Sequence, residues 1–281
     1  MEEMPRAHDD GGPDALARAL ALLRATHVCY RRARGEMLVA AVSYFVFVAL
    51  IPLSLLAVSV TAQVIGTSAA AMARVEAVVR QYLGAESDVV LVALREVIAA
   101  RGLIGGVGLL LLLWSGTGAI VMLQRAINAV YGTPDRSFGA ERLLAVGTLL
   151  LLGPLALVAV GLPAAIAVWH PFPGVEGVAL LLSLALNTAI LLFLYARFPT
   201  GGVSVRAAFV AAVVIAIAWE AAKRLYFWYA AHAEGFTAVA GALGAVIGLL
   251  LWINLSVALC VAGACLATVL ERGAADGTTP A

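Results

Sequence analysis

Ala207-Ala-Phe-Val-Ala-Ala-Val-Val-Ile-Ala-Ile-Ala-Trp-Glu-Ala-Ala-Lys-Arg-Leu-Tyr-Phe-Trp-Tyr229 is apolar enough to cross a bilayer, yet it carries Glu220, the chain's only lysine at Lys223, and Arg224. A hydrocarbon core about 30 Å thick is crossed by about 20 apolar residues in helical form. An ionised side chain within it costs roughly 2.5–3.5 kcal/mol on insertion scales, so such a triplet persists only where something compensates it.

The surrounding composition places this stretch in a membrane. Hydrophobic residues make up 63% of the 281 residues, charged residues only 12%, and mean hydropathy is +1.00. A soluble domain carries about 25% charged residues. Five further apolar runs, at 37 to 62, 103 to 123, 143 to 169, 177 to 196 and 245 to 269, join 207 to 229 as spans. The expected fold class is all-α, a polytopic membrane protein of six transmembrane helices occupying 37 to 270. An amphipathic N-terminal helix precedes it in residues 1 to 36, and a short disordered tail follows at 271 to 281.

Six spans put both termini on one side. With the N terminus in the cytoplasm, twelve arginines fall inside: Arg6, Arg18, Arg24, Arg31, Arg32, Arg34, Arg125, Arg136, Arg142, Arg197, Arg206 and Arg272. Only Arg74, Arg80, Arg95 and Arg101 fall outside. The positive-inside rule therefore favours both termini in the cytoplasm. No cleavable signal sequence is expected, because residues 1 to 36 hold no long apolar run.

The first outer loop, 64 to 101, has helical periodicity. Met72, Val75, Val79 and Tyr82 share one face, Val90, Leu94 and Val97 repeat it after Gly84, and Glu76 stands four residues before Arg80. Two amphipathic helices are expected there, lying on the membrane face or covering a cavity. Leu16, Leu20, Leu23 and His27 make a similar face at the N terminus. Pro52, Pro154 and Pro163 lie inside spans, each removing a helix hydrogen bond, and Gly241, Gly244 and Gly248 mark the start of the last span. Both features fit close helix packing, the commoner outcome, and also fit broken helices around a site.

Catalytic signatures are missing from the sequence. His8, His27, His170 and His232 are scattered, with no His-Glu-x-x-His, and Asp9, Asp10, Asp14, Asp88, Asp135 and Asp276 all fall in loops or tails. Ser115-Gly-Thr-Gly118 lacks the context of a nucleophile turn and reads as small residues at a helix crossing. Cys29, Cys260 and Cys265 form no CxxC pair and read as packing residues. A net charge of +1 without a basic block beyond Arg31 to Arg34 leaves no footprint for nucleic acid. The expectation is a non-enzyme without cofactor, metal or nucleic-acid partner.

What remains are polar groups at membrane depth. Glu220 lies about 20 Å along a helix starting near Arg206, with Lys223 and Arg224 on the same face. Lys223 and Arg224 can snorkel to the interface among Tyr226, Phe227, Trp228 and Tyr229, whereas Glu220 is too deep for that. Asn254, Asn187, Gln124 and Asn128 are further candidates, although buried amides more often bond between helices than touch a substrate.

With these residues in view, the chain resembles the YihY/virulence factor BrkB family of bacterial inner-membrane proteins. The resemblance lies in Ala40-Ala-Val-Ser-Tyr44, Pro52-Leu53, Leu113-Trp-Ser-Gly-Thr-Gly118 and Leu123-Gln-Arg-Ala-Ile-Asn-Ala-Val-Tyr-Gly132. It continues through Phe198-Pro199, Trp219-Glu220 with Lys223, Gly241-Ala-Leu-Gly-Ala-Val246, Leu251-Trp252 and Gly263-Ala264. This chain departs from the family pattern at Ala240-Gly241, where members often have Tyr-Gly, and at Ala49-Leu50-Ile51, where a serine often precedes the proline. The resemblance implies six helices in the inner membrane and says little of activity. A ribonuclease label at times attached to members finds no support in these residues.

The candidate polar site therefore comprises Glu220, Lys223, Arg224, Asn254, Asn128 and Tyr44, with Glu220 facing Asn254. The expected function is a transporter or permease for an unidentified solute or lipid-like molecule, working in the bilayer. The alternative is a structural scaffold that docks a partner through its outer loop. Assembly as a homo-oligomer stays open.

Overall fold

The structure is a computed structural model that describes residues 11–83, 87–169, 175–232 and 234–275. Among these it is all helix: α1 Gly11–Arg32, α2 Gly35–Thr67, α3 Ala69–Leu83, α4 Ser87–Ala99, α5 Arg101–Tyr131, α6 Phe138–Trp169, α7 Val175–Arg197, α8 Val205–His232 and α9 Glu234–Ala275. Six of these, α2 and α5 to α9, contain stretches long and apolar enough to cross a membrane. His170, Gly84 and the tail beyond Ala275 lie outside the described residues.

The spans bury little of themselves in protein. Only 11% of the apolar window of α2 and 33% of those of α5 and α8 are buried, while Leu110, Trp114, Leu143, Leu150 and Leu181 stand largely exposed. In water such a surface would drive aggregation; in lipid it is the solvated face.

Helix α2 lies antiparallel along α5, and glycines set how near they come. A Cβ on Gly118 would fall 3.3 Å from Phe45, and one on Gly108 would fall 3.2 Å from the backbone nitrogen of Leu56. At the far end Ser59 Oγ donates to the carbonyl of Arg101 at 2.6 Å, and Arg101 Nε donates to Gln63 Oε1 at 2.6 Å. Pro52, Pro154 and Pro163 lie within unbroken α2 and α6, so the helices are not interrupted as the broken-helix expectation required. Neighbouring turns keep the helix going where one bond is lost.

The core lies where α7, α8 and α9 meet and continues to α5 at Ala126, Ile127 and Val130 and to α2 at Val39 and Val42. Small residues of α8, Ala208, Ala211, Ala212 and Ala216, let α7 and α9 approach, and Leu194, Tyr195, Phe198, Val261 and Ala264 fill the space between. Tyr195 donates its hydroxyl to the carbonyl of Cys260 at 3.0 Å. Its ring end lies against Gly263, where any Cβ would collide with it and with Ile215.

The end of the bundle that holds the α5–α6 and α7–α8 turns is tied by polar bonds. Gly132 caps α5 at φ 71°, in the left-handed region where a glycine costs nothing, and its N–H bonds the carbonyl of Asn128. Arg136 donates to the carbonyls of Arg197 at 3.0 Å, Pro199 at 3.3 Å and Phe198, closing the end of α7. Glu271 of α9 accepts from the backbone N–H of Ser204 at 3.1 Å.

Between the first two spans stand α3 and α4. The Glu76 carboxylate takes Arg95 of α4 at 2.9 Å, an ion pair between the two helices. Sequence spacing matches Glu76 with Arg80 along α3, and the packing of α4 on α3 brings Arg95 to that carboxylate.

Candidate functional site

Glu220 sits mid-way along α8 and turns toward α7, where Ser183 and Asn187 lie one helical turn apart. Its Oε1 accepts three bonds: from Ser183 Oγ at 2.7 Å, from Asn187 Nδ2 at 3.1 Å, and from Lys223 Nζ at 2.6 Å. Lys223 also donates to Ser183 Oγ at 3.2 Å, which closes a ring of three polar groups, Glu220, Ser183 and Lys223, across the two helices, with Asn187 bonded to the carboxylate beside it. The Glu220 side chain is 13% exposed and that of Lys223 29%. Among the described residues no donor reaches the second carboxylate oxygen, Oε2, so the carboxylate keeps an acceptor to offer.

The depths of the partners agree. Measured from the turn between α7 and α8 at 1.5 Å per residue, Ser183 and Asn187 lie roughly 21 and 15 Å in and Glu220 roughly 22 Å in. In a core ~30 Å thick, Asn187 is at the middle and Ser183 and Glu220 are past it. The charges sum to zero, and each finds a partner inside the protein rather than in lipid.

On its other side the α8 segment meets aromatic rings. Trp219 packs edge-on against Trp252 of α9 with centroids 6.3 Å apart, and Tyr226 packs on the same Trp252 at 5.0 Å. Gly248 leaves room for the Tyr226 hydroxyl, which would stand 3.2 Å from a Cβ placed there. The polar ring thus has a hydroxyl and amide wall on α7 and aromatic groups behind it toward α9.

Four of the six expected site residues lie elsewhere. Asn254 does not face Glu220; it is exposed on α9, because Ile253, Val257, Cys260, Val261 and Ala264 occupy the face that α9 turns to the core. Arg224 is exposed and Lys223 alone takes the carboxylate, because a helix turns about 100° per residue and only one of the two can point at α7. Tyr44 is 63% exposed on α2, its ring edge against Phe45. Asn128 is a structural hub: Oδ1 accepts from Thr133 Oγ1 at 3.2 Å and from the backbone N–H of Thr200 at 3.3 Å, while Nδ2 donates to Asp135 Oδ1 at 3.2 Å. It joins the α5–α6 turn to the α7–α8 turn.

A second charged group escaped the sequence reading. Glu141, in the first turn of α6 and 2% exposed, takes Arg125 of α5 by two parallel bonds of 2.8 Å each. A carboxylate there also suits the positive end of the helix dipole. Next to it, Arg142 donates to Thr117 Oγ1 at 3.0 Å and lies over the Phe138 ring at 5.7 Å. Both arginines count in the sequence only as topology signals, and no spacing within one helix announces a partner sixteen residues on. Ser183, by contrast, was legible in principle: it stands four residues before Asn187 in an otherwise apolar span. Among the described residues no group of three His, Cys, Asp or Glu side chains is placed to hold a metal ion.

The comparisons agree with this architecture. The family described as Virulence factor BrkB matches residues 27–281. A UPF0761 membrane protein of Pseudomonas aeruginosa (strain LESB58) is 31% identical over 167 residues, which are 57% of this chain and 41% of that protein. Another, from Alkalilimnicola ehrlichii, is 27% identical over 233 residues, 80% of this chain and 52% of that protein. The chain thus spans about half the length of the curated relatives it matches. No solved structure matches. With a family match that runs from the end of α1 through α9, and with six helices of membrane-crossing length, the chain belongs to the Virulence factor BrkB family and is an integral membrane protein.

Proposed function

We propose that the chain is a transporter or permease of the bacterial inner membrane, with both termini in the cytoplasm, and that the ring of Glu220, Lys223 and Ser183, with Asn187 beside it, is its polar site. The observation that carries this is the free acceptor of a deep, neutralised carboxylate between two spans. A pair retained only to neutralise itself could be replaced by apolar residues without cost to insertion. The ring's net neutrality and its mix of donors and acceptors suit a polar solute or a lipid-like molecule with a hydrogen-bonding headgroup. The cytoplasmic placement rests on the arginine asymmetry. The chain is not an enzyme in this reading and needs no cofactor.

The test is water access. In a background with Cys29, Cys260 and Cys265 replaced by Ala, Ser183→Cys and Asn187→Cys are each treated with a membrane-impermeant maleimide, applied to intact cells and to inverted vesicles. Labelling of both positions is expected, and Glu220→Gln should alter the labelling rate while protein levels stay normal. Complete protection from both sides would show a dry cluster and sink the transport reading.

A second reading has its own observation in favour. Glu220 bridges α7 and α8 through two donors, Ser183 and Asn187, as a structural staple does, and α3 and α4 offer an amphipathic surface for a partner. It expects Glu220→Gln to lower the amount of folded protein, and crosslinks from residues 70 to 100 to capture another envelope protein.

A further inference from the structure

At the seam between α5 and α6 arginines outnumber carboxylates. Glu141 gives both of its oxygens to Arg125, at 2.8 Å each, and among the described residues Arg142 has no acidic partner. Its guanidinium donates to Thr117 Oγ1 at 3.0 Å and lies 5.7 Å from the centre of the Phe138 ring. Thr117 is free to accept because its own proton is directed back at the carbonyls of Leu113 and Trp114. Two cations and one anion leave the seam with an excess of one positive charge.

The position makes that charge costly. Thr117 is buried and stands next to Gly116, the midpoint of the 31-residue α5. An arginine that snorkels sets its guanidinium in water. This one is bonded at the level of the hydrocarbon core, where a neutral hydroxyl and a ring face offset little of the cost. The bond to Thr117 uses only one of the five N–H groups that a guanidinium carries. Around it the surface is apolar and largely exposed, at Phe138 and Leu143 of α6 and Trp114 of α5, so what compensates the charge must come from the lipid side.

We propose that Arg142, positioned by Thr117, is a binding site for the phosphate of an anionic phospholipid seated in the seam between α5 and α6. A planar guanidinium takes two phosphate oxygens at once. Charge selects the class of headgroup. A phosphodiester of net charge −1 cancels the excess, whereas a zwitterionic headgroup brings a cation that would need a carboxylate, and both oxygens of Glu141 are already taken. The acyl chains lie along Phe138, Leu143 and Trp114. The site is separate from the Glu220 ring between α7 and α8 and does not depend on what that ring carries.

Full-length protein in a non-ionic detergent is titrated with dioleoyl phosphatidylglycerol, dioleoyl phosphatidylcholine or inorganic phosphate, and bound ligand is counted by native mass spectrometry. A single phosphatidylglycerol should be retained about tenfold more tightly than phosphatidylcholine. Inorganic phosphate should neither bind nor displace it. Arg142→Gln should abolish the preference and Thr117→Val should weaken it, whereas Arg206→Gln, at an exposed arginine in the first turn of α8, should leave it intact. Because Arg142 holds no carboxylate, Arg142→Gln strands no charge and should melt no lower than the parent protein in lipid-free detergent. A lower melting point there would mark Arg142 as a structural cation and overturn the proposal. Equal retention of the two lipids by the parent protein, or a preference that survives Arg142→Gln or is lost equally in Arg206→Gln, would also overturn it. Displacement by inorganic phosphate would do the same, since the site would then serve a soluble anion.

Discussion

Lys223 and Arg125 do the same electrostatic work at two depths, and the consequences of removing them differ. Arg125→Met strands Glu141, which is 2% exposed, and should cost on the order of 3–5 kcal/mol because an unpaired charge is left in a dry place. Lys223→Met strands a carboxylate that is 13% exposed and still held by Ser183 and Asn187, so a smaller loss of roughly 1–3 kcal/mol is expected. Adding Glu220→Gln to Lys223→Met should restore most of it. Unfolding midpoints in detergent check all three, and a double variant no better than the single would mean that Lys223 contributes through packing rather than charge. At this scale the sequence was informative about Glu220 and Lys223, because two opposite charges three residues apart in a span can meet within one helix. It was misleading about Asn254 and Arg224, because which way a helix faces is set by its neighbours and not by its own spacing.

The helices themselves depend on a few close approaches. Tyr195 occupies the space that a side chain at Gly263 would need, so Gly263→Val should separate α7 from α9 and cost about 1–3 kcal/mol. Gly139→Ala makes a suitable control, since a Cβ there meets nothing within 4 Å. An equal loss in both variants would argue against the close-contact account. Prolines in α2 and α6 were the sequence's strongest hint of interrupted helices, yet α2 and α6 continue through them. A proline removes one backbone bond per site, and whether that opens the helix depends on what packs beside it.

For the whole molecule, the antiparallel seam between α2 and α5 sets the frame. In a cysteine-free background, Ser59→Cys with Gly105→Cys should join readily with a short oxidative crosslink, while Ser59→Cys with Leu112→Cys, two turns out of step, should not. The reverse pattern would displace the register that the Ser59 to Arg101 bond defines. The six membrane-length helices and the all-helical class were within reach of the sequence alone, because the cost of placing an unsatisfied backbone in lipid leaves long apolar runs hardly any other form. The charged stretch 207 to 229 likewise announced a carboxylate that must find a partner. Only the tertiary structure decided which partners it found. Ser183 and Asn187 lie on another helix, Glu141 takes Arg125 across a turn, and Tyr195 of α7 reaches the carbonyl of Cys260 on α9. Hydropathy reports what each segment does with lipid, whereas contacts between helices follow from side-chain shape and rotation, which no single segment contains.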